Sequence, residues 1–313
     1  MQSPIDAEYI IRLGANPNLV IVTGNTKFDQ TYTDVSPEEK NRLLGEMGLL
    51  ENDGIFLAGS THRGEEEPVL QAFRALREER PNAKLVIAPR ELLRTREVTA
   101  ICHRAGWKVA RRTELIEHPV TDHDVVILDT IGELGQVYSV GDVIYVGGSL
   151  ISHGGHNILE PAAHGKAIIV GYNMFNFKET HALFTKRSAV ITVQNAGELA
   201  KAVVRLFTDE AERCRMEQET LAICQENKGA ARKSAVLLHE MLEMVEARRL
   251  ASGQIKSTDK VENFQTYFYH LIHSREAHGI FWQLLVAVLY TFSIIYGGLV
   301  NYQIGRASCR ERV

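Results

Sequence analysis

"GGSLISHGGHNILEPAAHGKAIIVG", residues 147–171, sets six glycines and three histidines between two short apolar runs. The run before it, "DVIYV", and the run that closes it, "AIIVG", are nearly continuous in β-branched and apolar residues. Such runs read as strands buried on both faces. The connection between them exceeds a dozen residues and contains a helix candidate at Asn157 to Gly165, the pattern of a βαβ unit in a parallel sheet. Gly147 and Gly148 let a ligand approach the backbone closely after the first strand, and Gly154 and Gly155 supply a turn before the helix. The expectation is an anion cradle of backbone N–H groups.

The same alternation extends along the chain. "NLVIVTG", "GIFLAGS", "KLVIAPR", "KVARRT", "DVVILDT", "DVIYVGG", "AIIVG" and "AVITV" read as strands, with helical patterns between them. The clearest helix is Glu65 to Arg80, with Val69, Leu70, Phe73 and Leu76 on one face. The pattern predicts a doubly wound α/β domain, whose ligands lie outside the carboxyl ends of the strands. From Asp209 to Arg249 it becomes helical throughout.

Composition narrows the function classes. The 313 residues carry a formal net charge of -4, so no broad basic field invites nucleic acid. The four cysteines form no CxxC pair, which argues against a disulfide framework and a zinc knuckle. The first residues show no secretory signal. The G-x-G-x-x-G spacing is absent, which disfavours NAD, and so is the G-x-S-x-G nucleophile elbow.

Four loops follow the carboxyl ends of the expected strands. In "GSTHRGEEE", Ser60 and Thr61 stand where a strand yields to a helix N-terminus, either to hold an anion or to cap the helix. In "APR", Arg90 follows a buried strand and offers a planar fork to phosphate or carboxylate. In "DTIGELG", Gly132 and Glu133 open a short helix. In the fourth, Gly148, Ser149, His153 and His156 line the glycine-rich turn, with the two histidines as hydrogen-bond donors, and Glu160 faces the crevice to accept from sugar hydroxyls. A zinc site built from His153, His156 and His164 is set aside: no cysteine partners them, and the first two lie on a glycine loop rather than a rigid face. No metal and no cofactor are expected.

Six segments in order, "VTGNTKFD", "GSTHRGEEE", "APR", "DTIGELGQVYSVGDVIYVGGSL", "HGGHNILEPAAHGKAIIVG" and "NMFNF", resemble the 3-deoxy-D-manno-octulosonic acid (Kdo) transferases of lipopolysaccharide biosynthesis over roughly residues 1–245. The resemblance implies a glycosyltransferase fold of the B type (GT-B), with residues 1–249 as its Rossmann-like C-terminal half. That half holds the CMP of the donor CMP-Kdo. By position, Pro89 and Arg90 match the family's first CMP-contacting pair, Ile131, Gly132 and Glu133 its second segment, and Asn157, Ile158, Leu159 and Glu160 its third. The family's reaction moves Kdo from CMP-Kdo to a lipid A precursor, lipid IVA, at the cytoplasmic face of the bacterial inner membrane. Its general base and acceptor surface belong to an N-terminal half with which no residue here aligns, because Met1 matches an internal position. No catalytic residue is therefore expected in this chain, which is expected to bind the donor without transferring sugar by itself. A UDP-sugar transferase or epimerase of the same fold, or a non-catalytic nucleotide-binding fragment, is the alternative.

Residues 250–262 read as a polar linker. Beyond them, Gly279 to Gly305 carries no charge and includes "FWQLLVAVLYTFSIIYGGLV", about the length needed to enter a bilayer. Residues 263–303 thus read as a membrane-associating helical segment, and they resemble the N-terminal anchor of the tetraacyldisaccharide 4'-kinases. Residues 304–313 read like a translated sequencing adapter.

Overall fold

The computed structural model describes residues 1–30, 35–118 and 120–251. The chain divides into two compact units, Met1–Leu238 and His239–Val313. In the second, the described residues are the end of one long helix. That helix runs to Ala251, so the first two residues of the expected linker continue it. The remaining linker, the apolar segment 263–303 and the terminal ten residues lie outside the described residues. Among the described residues, no helix is long and apolar enough to cross a membrane.

The first unit is built on seven parallel strands: β1 (Ile55–Thr61), β2 (Lys84–Pro89), β3 (Val109–Arg111), β4 (Val125–Ile127), β5 (Val143–Val146), β6 (Ala167–Gly171) and β7 (Val190–Val193). Their order in the sheet is β3-β4-β2-β1-β5-β6-β7. Seven of the eight expected strands form. "NLVIVTG" does not; a short 3-10 turn at Pro17–Leu19 and extended chain replace it, with Ile21 and Val22 exposed. The run does bond a neighbour at one point, where the Met1 amine donates to the Ile21 carbonyl at 2.7 Å and the Met1 carbonyl accepts from the Thr23 amide at 3.0 Å, but contact with a single residue does not extend into a strand ladder.

Among the described residues, eleven α-helices flank or follow the strands: α1 (Pro4–Arg12), α2 (Pro37–Glu46), α3 (Glu66–Glu79), α4 (Thr95–Arg104), α5 (Arg112–Glu117), α6 (Leu134–Val137), α7 (Leu159–Ala163), α8 (Lys178–Lys186), α9 (Ala196–Thr208), α10 (Glu210–Glu226) and α11 (Ala230–Ala251). Alternation along each strand sends side chains to opposite faces. Phe56 and Ala58 of β1, with Val143 and Tyr145 of β5, pack against Val69, Phe73 and Leu76 of α3 and Leu199, Val203 and Leu206 of α9. Ile55 and Leu57, with Ile144 and Val146, face the other way, toward Leu43 and Leu44 of α2, Tyr138, and Leu159 and Ala162 of α7. Both faces are covered, which is why the strands read as continuous apolar runs. Fully burying each such side chain contributes about 1.5–3 kcal/mol.

Strand β1 is the switch point of the sheet. Its chain successor β2 lies on one side and β5 on the other. The loops leaving β1 and β5 therefore meet at the carboxyl edge, where sheets of this kind bind their ligands. This topology places the sequence-derived loops at one end of the sheet.

Candidate active site

At the end of β1 the pairing with β2 slips between Gly59 and Thr61, and the extra residue is Ser60, held at φ 55°. A non-glycine residue in this left-handed region is strained, and such strain concentrates at functional sites. The slip turns the Ser60 side chain against the Tyr138 hydroxyl, whose pKa is driven up first by burial and then by the nearby Glu160 charge. Thr61 is fully buried, and its hydroxyl has no hydrogen-bond partner. The Thr61 carbonyl accepts from the Arg90 amide at 2.9 Å, which ties the end of β2 to the end of β1. Pro89 is buried, whereas Arg90 is exposed. Among the described residues the Arg90 guanidinium has no ion-pair partner.

The glycine-rich loop differs from the cradle expected of it. The Glu65 carboxylate is fully buried and accepts the amides of Gly148 at 2.7 Å and of Ser149 and Leu150 at 3.0 Å. It also accepts from the His62 amide at 3.0 Å and the Tyr145 hydroxyl at 2.7 Å. The Gly147 amide donates to the Gly59 carbonyl at 2.8 Å and the next three are neutralised by an internal anion, so these amides do not face a ligand. The expectation fails because a loop of free N–H groups in a buried crevice needs a permanent acceptor. Ser149 is likewise a structural bolt: fully buried, its hydroxyl donates to the Val146 carbonyl at 2.5 Å and accepts from the Gly171 amide at 2.7 Å. Gly147 is needed because a Cβ there would collide with the Ser60 carbonyl.

Three imidazoles meet over this loop. The Nε2 atoms of His62 and His156 are 2.7 Å apart, and the ring centroids of His62 and His153 are 3.9 Å apart. Burial, then His62 and Arg90, hold His156 down at about 4, and burial chiefly lowers His62. Both rings are therefore uncharged at neutral pH. His164 is elsewhere, with its Nε2 2.7 Å from the Gly135 carbonyl. Sequence reading grouped it with His153 and His156, but the fold brings in His62 instead.

The third segment splits by depth. Ile158 and Leu159 are core residues, so only their backbone can meet a ligand. Asn157 accepts the Leu159 amide at 3.1 Å and donates to Glu160 at 3.3 Å. The Glu160 carboxyl is raised above its usual range by burial, an effect opposed by Asn157 and by the Arg90 charge. The helix expected at 157–165 is the short α7, so Glu160 stands in its first turn. The second segment follows β4, the neighbour of β2. Ile131 is 87% exposed and Gly132 turns at φ 86°. The Glu133 carboxylate is drawn inward, accepting from Thr130 at 2.7 Å and Arg112 at 3.2 Å.

Arg90, His62, His156 and Glu160 thus share one electrostatic neighbourhood, since the Arg90 charge acts on all three others. The crevice offers the exposed Arg90 guanidinium for an anion, neutral imidazoles, and the half-buried Glu160 carboxyl, able to accept from hydroxyl or amino groups. Sequence reading missed Glu65, His62 and Tyr138. The only hint of Glu65 was the "GEEE" run; Tyr138 sits in an apolar pattern and gave none.

A doubly wound parallel sheet with its polar groups gathered at the switch point has the architecture of a Rossmann-like half of a GT-B glycosyltransferase. No protein-family model matches the chain. A 3-deoxy-D-manno-octulosonic acid transferase of Haemophilus influenzae is 32% identical over 245 residues, 77% of this chain and 56% of that protein. Its counterpart in Bordetella pertussis is 29% identical over 244 residues, again 77% and 56%. The crystal structure of the C-terminal CMP-Kdo binding domain of WaaA from Acinetobacter baumannii matches with a TM-score of 0.53 and 28% identity, over 59% of this chain and 96% of that one. The chain is thus similar in sequence to the Kdo transferases, and over 59% of its length its fold matches the C-terminal domain of one of them. It spans little more than half the length of these relatives.

Proposed function

We propose that the crevice binds CMP-Kdo and that the chain is the donor half of a Kdo transferase, acting on a lipid A precursor at the cytoplasmic face of the inner membrane. The observation that carries this reading is the exposed Arg90 guanidinium, without an ion-pair partner among the described residues and within electrostatic reach of His62, His156 and Glu160. A donor whose phosphate is ester-linked to the sugar's anomeric carbon needs a cation where charge develops on the leaving cytidylate. Arg90 supplies it. Glu160, pinned by Asn157, accepts hydrogen bonds from hydroxyl groups of the bound donor. Pro89 and the backbone of residues 131–133 and 157–159 complete the wall around the base and ribose. The membrane part of the proposal rests on the uncharged stretch from Gly279 to Gly305.

The test is differential thermal unfolding with CMP and with UDP. A ligand at 100 times its dissociation constant adds about 2.7 kcal/mol to stability. CMP is expected to raise the midpoint and UDP to leave it nearly unchanged. An equal response to both, or none to CMP, would remove the reading.

A further inference from the structure

The three imidazoles over the glycine-rich loop are grouped closely enough to act as one ligand set. Their ligating nitrogens all lie within 4.8 Å of one another, although His62 comes from the loop after β1 and the other two from the loop after β5. At a Zn–N distance of about 2.0–2.1 Å, two tetrahedral ligands stand about 3.3 Å apart. The His62–His156 pair, at 2.7 Å, opens slightly to reach that value. His153 closes inward by a change of side-chain rotamer, which its exposure allows while its backbone stays held by Asn176 and Ile151.

Two further features prearrange the set. A Cβ at Gly148 would stand 3.0 Å from the His156 ring and 3.2 Å from the His153 ring, so the glycine leaves room for both. Glu65 accepts from the His62 amide and from the amides of Gly148 to Leu150, so one carboxylate locks both ligand-bearing loops to each other. The charged groups that face the set are Glu65, Glu91 and Arg90.

We propose that His62, His153 and His156 form a three-histidine site for a divalent transition metal of the zinc type, which bridges the β1 and β5 loops at the mouth of the crevice. Imidazole-only ligation selects zinc, copper, nickel or cobalt over magnesium and calcium, which demand oxygen ligands. Three protein ligands leave a fourth position open. An oxyanion held by Arg90 can take that position, so the metal and a phosphate or carboxylate ligand are accommodated together. The proposal stands whether or not the crevice holds CMP-Kdo.

The experiment is a titration of the untagged full chain with Co2+, followed by visible absorption. The expected result is one equivalent bound with the intense bands of tetrahedral cobalt. His62→Ala, His153→Ala and His156→Ala should each weaken apparent affinity at least about tenfold, no less than the loss typical for a group that merely supports a ligand. His103→Ala, an exposed residue on α4, should change nothing. His153→Ala replaces an exposed side chain, so circular dichroism is expected to show a native fold and the variant stays decisive. Pale six-coordinate cobalt, no saturable binding, or tetrahedral bands that survive in His153→Ala would each overturn the site.

Discussion

The buried carboxylate of Glu65, on the loop after β1, receives the Gly148 amide at 2.7 Å from the loop after β5. The same group takes four more donors, so it closes the carboxyl edge of the sheet at its switch point. Glu65→Gln would place an amide NH2 against donors that have no other acceptor. Hydrogen bonds to a charged group contribute about 1.5–3 kcal/mol, and an unsatisfied buried donor costs a similar amount. The expected loss is about 2–5 kcal/mol in urea unfolding. An unchanged midpoint would show that the loops hold together without this clamp.

Arg90 carries the anion in the proposed donor site. Arg90→Ala should weaken CMP binding by roughly 10- to 100-fold, as about 1.5–3 kcal/mol is at stake in a charge-assisted hydrogen bond. Arg90→Lys should recover only part of this, since an ammonium lacks the planar fork. Because Arg90 is exposed, thermal stability without ligand should hardly move. Calorimetry on the three proteins decides it, and undiminished affinity in the alanine variant would exclude the role.

Gly147 directly follows β5 beside the end of β1, and a methyl group there meets the Ser60 backbone carbonyl. Backbone cannot swing aside as a flexible side chain can. Gly147→Ala should therefore cost about 1–3 kcal/mol through overpacking, and it should widen the crevice. Denaturant unfolding measures the first effect. Full stability in this variant would mean that the two loops are less tightly apposed.

Lys166 gives a pH signature. Burial, followed by the Lys40 charge, lowers its pKa from 10.5 to about 8. Between pH 8 and 10.5 the unfolded chain binds more protons at this position than the folded one, so this residue makes stability rise with pH across that window. At pH 7 the full penalty of the half-buried ammonium is present. Lys166→Met should raise stability at pH 7 by on the order of 1–3 kcal/mol, from about 1.36 kcal/mol per pKa unit and partial solvent access. The gain should vanish by pH 10.5; a gain that stays constant with pH would assign it to packing alone.

The sequence by itself determined the sheet. Seven of the eight apolar runs became strands because alternate burial on two faces demands continuous apolar character, and the helices between them fixed parallel pairing. It also located Arg90 and Glu160, since a charged residue directly after a buried strand, or in the first turn after a glycine-rich loop, must lie near the carboxyl edge. Strand order, and with it the placing of β1 between β2 and β5, was decided only in three dimensions. So were the two facts that change the chemistry of the crevice: the Gly148 to Leu150 amides are taken by Glu65, and His62 joins His153 and His156. Residue 62 is more than ninety positions from residue 156. Partners that distant are set by which strands become neighbours, and no local pattern of residue types encodes that choice.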